Sequence, residues 1–161
     1  MKRNDLDAFD LGILDHIQRD NRLPLHEIGQ AVNLSAAAVQ RRMRKMEDAG
    51  VICANVAIVN PRAVGRPITV IVEVQVVNEQ ADILDAARRE FASAKEVQQC
   101  YYVTGAADFI LILTVATMEE YEALSRRLFL ENTNVRHFST HVTMNRVKVG
   151  LNVPVSPTAL A

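Results

Sequence analysis

Cysteine is nearly absent from this 161-residue chain, which has only Cys53 and Cys100. Neither stands in a CxxC pair or at Cys/His ligand spacing. That argues against a zinc site and predicts free thiols in a reducing cytoplasm. Long hydrophobic runs are missing too. The longest candidate, residues 68 to 77, is interrupted by Glu73 and Gln75, so no membrane span is expected. The opening residues, MKRNDLDAFD, contain no hydrophobic segment of the secretory kind. Nor is there an excess of one charge: 18 basic and 19 acidic side chains leave a net charge of −1. Wholesale polyanion binding is thereby excluded, and any nucleic-acid surface has to be local. No nucleophile-base triad spacing, phosphate loop or metal motif is present.

What the chain does have is apolar residues, 49% of the total, enough for one ordinary domain or two small ones. Its most informative stretch is Leu34 to Gly50, LSAAAVQRRMRKMEDAG. Ser35 is placed to cap a helix, Val39, Met43 and Met46 recur as one apolar stripe, and Gly50 supplies a left-handed stop. Residues 35 to 46 hold four basic side chains and no acidic one. Ala37, Arg41 and Arg44 line the outer face, flanked by Gln40 and Lys45. The result is a helix with an apolar back, small residues at its start (Ser35, Ala36, Ala37) and a basic front. Taken alone, such a helix fits a DNA groove and a solvated surface equally well.

Upstream, residues 6 to 20 read as a helix with Asn4 or Asp5 as cap and Leu6, Phe9, Ile13, Leu14 and Ile17 on one face. Gly12 costs this helix on the order of 1 kcal/mol against alanine, so packing has to hold it. After a break at 21 to 24, Leu25 to Val32 form a short helix with Ile28 and Val32 inward. Asn33 and Leu34 make the turn, asparagine tolerating positive φ better than most residues. Three helices in this order predict a helix-turn-helix over 1–59, with the 35–49 helix as the DNA reader. Residues 51 to 59, VICANVAIV, are β-prone and read as a wing or as the strand leading out.

The prolines and glycine of NPRAVGRP mark a linker at 60–67. Beyond it the pattern turns to strands. In residues 68 to 77, Ile68, Val70, Val72, Val74 and Val76 share one face. A helix follows at 81–93 with Ile83, Leu84, Ala87 and Phe91 inward. Strands follow at 96–104 and 108–116, then a helix beginning at 118 with Met118, Tyr121, Leu124 and Leu128 inward, then a strand over 135–149. This order predicts an α+β chain whose second domain, 68–149, is a ferredoxin-like βαββαβ unit with a four-stranded antiparallel sheet, followed by a tail at 150–161. Both faces of 108–116 are apolar, with Phe109, Leu111, Leu113 and Val115 on one and Ile110 and Ile112 on the other. Leaving the second set in water costs a few kcal/mol at about 25 cal/mol per Å2, so that face is expected to pair with another copy.

LDAFDLGIL at 6–14, NRLPLHEIGQAVNLS at 21–35 and VQRRMRKMEDAGVI at 39–52 resemble the Lrp/AsnC regulators (the leucine-responsive regulatory protein family). Asn33 replaces the glycine usual in the family's turn, a departure of little weight because asparagine reaches that geometry. The resemblance implies that the 35–49 helix enters the major groove of a two-fold operator in double-stranded DNA. It also implies a C-terminal RAM domain that pairs sheets face to face, with dimers assembling further into octamers. YYVTGAADFILIL at 101–113 carries the family's Gly-x-x-Asp hairpin. Thr104, Gly105 and Asp108 are thus candidates for holding an amino-acid effector: Gly105 leaves amides free, and Asp108 can accept from an ammonium group. The plainer reading is that Gly105 only makes the hairpin and Asp108 only caps it. Thr140 matches a family threonine near the effector pocket. No other cofactor is expected. His137 and His141 share a strand face roughly 13 Å apart, too far to hold one metal together.

Two other classes are weighed against a regulator. Siroheme decarboxylase subunits have a similar two-domain layout but a histidine- and arginine-rich stretch where this chain has QQCYYVTGAADF. A stand-alone amino-acid sensor like the ACT domains leaves residues 1 to 52 without a purpose.

Overall fold

The computed structural model describes residues 6–155, which divide into two compact units. The first runs to Ala57 and takes in the chain again from Lys148; the second is Ile58–Val147. The linker at 60–67 therefore belongs to the second unit and the tail to the first.

Three helices build the first unit: α1 (Ala8–Ile17), α2 (Leu25–Val32) and α3 (Ala36–Asp48). Asn4 and Asp5 lie outside the described residues. The cap of α1 is Asp7, whose carboxylate accepts from the Asp10 N–H while the Asp10 carboxylate accepts from the Asp7 N–H, a reciprocal capping box. Ile13, Leu14, Ile17, Ile28, Val39 and Met46 form the core. Phe9, expected inside, is 42% exposed and lies beneath a guanidinium instead. At the end of α3 the Gly50 N–H donates to Glu47 O and the Val51 N–H to Met46 O, the paired bonds of a Schellman stop.

Two glycines set how closely these helices approach. A Cβ on Gly12 would lie 2.9 Å from Val32 Cγ1, so the helix-weakening residue in α1 is what lets α2 pack against it. On Gly29 a Cβ would lie 2.4 Å from the Leu34 carbonyl oxygen, which is backbone and cannot rotate away. Between them Asn33 takes φ +57°, as its side chain allows. Gly29→Ala is therefore expected to cost about 3 kcal/mol, the upper range for overpacking. Calorimetry should show the first unit's transition falling and the second's unchanged; an unshifted first transition would mean that the turn can open freely.

Residues 51 to 59 make no strand. Val56, Ile58 and Val59 are exposed, and among the described residues no segment supplies the ladder partners a strand or wing requires. The C-terminal segment, by contrast, is docked on the first unit. The Gln18 side chain accepts from the Val153 N–H and donates to the Val153 carbonyl, as a neighbouring strand would, and Val155 joins the core periphery.

The second unit has β1 (Ile68–Val76), α4 (Ala81–Ser93), β2 (Val97–Tyr102), β3 (Phe109–Val115), α5 (Met118–Ser125) and β4 (Val135–Val142). All pairings are antiparallel, in the order β2-β3-β1-β4, the ferredoxin-like arrangement. Val70, Val72, Val74, Phe109, Leu111 and Leu113 meet Leu84, Phe91, Leu124 and Leu128 in the core, so both helices cover one sheet face. Met118, expected inward, is exposed. The helix begun at Met118 does not run on as α: it widens into a π turn at Arg126–Leu130, where the Glu131 N–H donates to Arg126 O and Leu128 and Phe129 are both buried. The last strand ends at Val142, short of the expected 149. β1 starts at Ile68 after Pro67, so beyond the Thr143 N–H bond to Thr69 O there is nothing left to pair with.

Candidate nucleic-acid interface

Ser35 caps α3, its hydroxyl accepting from the Ala38 N–H, and Val39 and Met46 bury its back. What remains outward is fixed by the helical period. Ala37, Gln40, Arg41, Arg44 and Lys45 are exposed, while Ala36 is half-buried at the start of the helix. An open groove of about 620 Å3 is lined by Ala37, Gln40, Arg41, Arg44, Lys45 and Asp48. Five of the seven residues expected to meet DNA thus form one surface; Ser35 and Ala36, at the start of the helix, are outside its lining.

The chemistry suits a nucleic acid. Arginine can bond two acceptors on a guanine edge or one phosphate, glutamine can read adenine, and an alanine can lie against a thymine methyl group. One of the basic residues that distinguish this stretch does not take part. Arg42 is turned back into the unit, where Nη1 lies 2.8 Å from both Asp7 Oδ2 and Asp10 Oδ1. Bonding to Asp10 raises the Arg42 pKa, and it outweighs desolvation. Burial disfavours the Asp7 anion, but the Asp10 N–H and Arg42 overcome this and hold its carboxyl below the usual range. Asp7, Asp10 and Arg42 are the residues sequence reasoning missed. The i, i+3 aspartates of LDAFD are a capping-box pattern that could have marked the first two.

The effector candidates are not gathered into one place. Thr104 and Gly105 sit exposed at the tip of the β2–β3 turn, and Gly105 has φ +125°, with open space where a Cβ would go. Asp108 closes this turn through its carbonyl, which accepts from the Val103 N–H. Its carboxylate reaches β1, where Oδ2 accepts from the Val76 N–H at 2.8 Å beside the β1–β4 register shift. Gln75 Nε2 also donates to Ala106 O, tying the same turn to β1. Thr140 is elsewhere. It pairs with Val72, four residues or roughly 13 Å along β1 from Val76. Its hydroxyl is on the helix side, hydrogen-bonded to the Tyr121 hydroxyl. Burial pushes the Tyr121 pKa up, partly offset by that bond.

The sheet face away from the helices carries Ile71, Ile110, Ile112 and Tyr101. Ile112 stands opposite Ile71, and Ile110 lies between Glu73 and Tyr101. His141 and Glu73 border this band, their Nε2 and Oε1 3.6 Å apart. Among the described residues no helix is long and apolar enough to cross a membrane, and no group of three or more His, Cys, Asp or Glu is placed to hold a metal.

A helix-turn-helix with a basic outward groove, joined to a ferredoxin-like sheet domain, defines a two-domain DNA-binding regulator. The comparisons agree. Residues 6–47 match the AsnC-type helix-turn-helix domain and residues 69–153 the Lrp/AsnC ligand binding domain. An uncharacterized HTH-type transcriptional regulator from Sinorhizobium fredii is 47% identical over 94% of this chain and 89% of its own length. The leucine-responsive regulatory protein of Haemophilus influenzae is 33% identical over 91% and 89%. The crystal structure of an AsnC family transcriptional regulator from Agrobacterium tumefaciens superposes with a TM-score of 0.86, at 28% identity, over 92% of this chain and 97% of that one. The chain belongs to the Lrp/AsnC family of transcriptional regulators.

Proposed function

We propose that this chain is a sequence-specific regulator without enzymatic activity. It binds double-stranded DNA as a homodimer through α3 and responds to an amino acid held at a subunit interface beside the 104–108 turn. The observation that carries the DNA-reading part is the groove along α3, whose three outward cations surround Gln40 and Ala37. Three cations neutralise only a few phosphates, so one copy binds weakly and loses affinity steeply with salt. A two-fold axis presenting two copies to half-sites one turn apart supplies the rest. The band of Ile71, Ile110 and Ile112 supports that axis, and dimers of this kind can associate further into tetramers or octamers.

The effector part is supported by the ligand-binding description of the matched C-terminal family and by the leucine-responsive name of one relative. An exposed turn with a left-handed glycine and a carboxylate retaining one oxygen free of the Val76 N–H suits a zwitterion: amides for its carboxylate, Asp108 for its ammonium. No cofactor is required for such a cycle, and the cytoplasm is where it would operate.

Fluorescence anisotropy with a duplex selected by the protein from a random pool tests both parts, with each common amino acid added at millimolar concentration. Selected DNA should bind at least 100-fold more tightly than random DNA, and one or a few amino acids should change that affinity. Asp108→Asn keeps an oxygen acceptor for Val76 and removes the charge. It should leave DNA binding intact and weaken the amino-acid response at least tenfold. An undiminished response in Asp108→Asn would leave this carboxylate with a structural role, and equal affinity for selected and random DNA would sink the regulator reading.

A further inference from the structure

The apolar anchors of α3 lie nearly along one line. Val39 and Met46 are seven residues apart, about 20° from eclipsed on a helix of 100° per residue. Met43, partly buried, packs about 40° from Val39 on the side away from Arg42. Apolar contacts confined to so narrow a stripe hold a helix down but resist rolling about its own axis poorly, and rolling is the motion that would turn Gln40, Arg41 and Arg44 away from their bases. Arg42 stands about 60° to the side of Val39. Its guanidinium bonds the carboxylates of Asp7 and Asp10 and lies 5.4 Å from the centroid of the Phe9 ring, all in the first turn of α1. The two carboxylates are themselves fixed by the capping box. The Arg42 side chain is 26% exposed and that of Asp10 only 8%.

This arrangement works against simple electrostatic attraction. A cation of the reading helix is neutralised, and a second carboxylate is left on its flank next to Arg41 and Lys45, which share a groove with Asp7 and Asp10. Discarding attraction for phosphate at such a place makes sense if the cluster sets geometry.

We infer that Arg42 is a positioning residue for DNA recognition: its Nη1, bonded to both Asp7 and Asp10, fixes the rotation of α3 about its axis and thereby which bases Gln40, Arg41 and Arg44 reach. The inference rests on α3 being the reading helix. Hydrogen bonds to base edges weaken steeply outside roughly 2.7–3.2 Å, so a small roll lowers sequence discrimination more than overall attraction.

The two kinds of role predict opposite signs. Asp7→Asn removes a negative charge beside the basic groove, and electrostatics alone tightens binding to every duplex. Positioning predicts that affinity for the selected duplex falls about tenfold while affinity for random duplex stays or rises. Arg42→Lys keeps the charge and a nitrogen able to donate to both carboxylates, but on a shorter stem and without the planar guanidinium that lies over Phe9. It should lose selectivity similarly, with an unchanged slope of log affinity against log salt. Arg41→Ala is the control: it should flatten that slope by about one unit for each copy bound. Full-length protein is used, with melting followed by circular dichroism; the half-exposed Asp7 gives a variant that folds even if Asp10→Asn does not. Wild-type selectivity in both Asp7→Asn and Arg42→Lys would overturn the inference, as would Arg42→Lys binding normally while Arg42→Ala flattens the salt slope. An unaffected slope and selectivity in Arg41→Ala would instead count against α3 as the reader.

Discussion

Replacing both Arg41 and Arg44 with alanine is expected to lower affinity for the selected duplex about a thousandfold while leaving the fold and the oligomer unchanged. Both side chains are exposed in the α3 groove, and neither takes part in an ion pair among the described residues, so their removal leaves no buried group unpaired. The proposed dimer loses four cations. At about 1 kcal/mol each, the low end for an arginine-to-base or arginine-to-phosphate contact, the sum is roughly 4 kcal/mol. If all four met phosphates, the salt slope would flatten by about 3.6. Anisotropy titrations between about 50 and 200 mM salt, a range over which such contacts change affinity strongly, measure both quantities. Undiminished binding at the upper end would remove α3 from the interface.

A carboxylate at the centre of the open sheet face should have a comparable effect by another route. Ile112 pairs with Ile71, away from the helices, and its neighbours on β2 and β4 are Gln99 and, across Ile71, His141. Burying isoleucines of this band against a second copy contributes about 1.5–3 kcal/mol each. In the proposed homodimer, Ile112→Asp forfeits that contribution and places a carboxylate of each copy in the sheet-to-sheet contact, where burial of unpaired charge is costly. Sedimentation should show the dimer giving way to monomer at micromolar concentration, and DNA binding should fall with it because the two reading helices are no longer linked. The Ile112 side chain does not face α4 or α5, so the monomer should keep its secondary structure. A dimer that survives this substitution and its Ile110 counterpart would place the interface elsewhere.

Much of this protein was legible before folding was considered. Helical periods, Ser35 and the Gly50 stop bound α3 to within a residue, and alternation in 68–76 and 109–115 assigns each side chain to the correct sheet face. These features are local: a repeat of 3.6 or 2 and a cap a few residues away are written in neighbouring letters. Boundaries that depend on distant partners were not. Residues 51 to 59 have the composition of a strand but, among the described residues, no strand to lie beside, and residues 143 to 149 leave the sheet because β1 has already begun at Ile68.

The candidate site divides in the same way. The outward face of α3 follows from its period, so Ala37, Gln40, Arg41, Arg44 and Lys45 could be named from the sequence. That Arg42, adjacent to Arg41 in the sequence, turns away from that face was decided by carboxylates 32 and 35 residues earlier. Asp108 was readable as a turn residue, yet its bond to Val76 N–H exists only because β1 and β3 are neighbours. Thr140 was placed by register: opposite Val72 it points toward α5 and meets Tyr121. The sequence by itself determined the elements, the two-domain order and the basic face, because periodicity and capping act over a few residues. Tertiary structure alone decided which charges remain free for DNA, since an ion pair or a strand register needs two segments that the chain sequence does not place side by side.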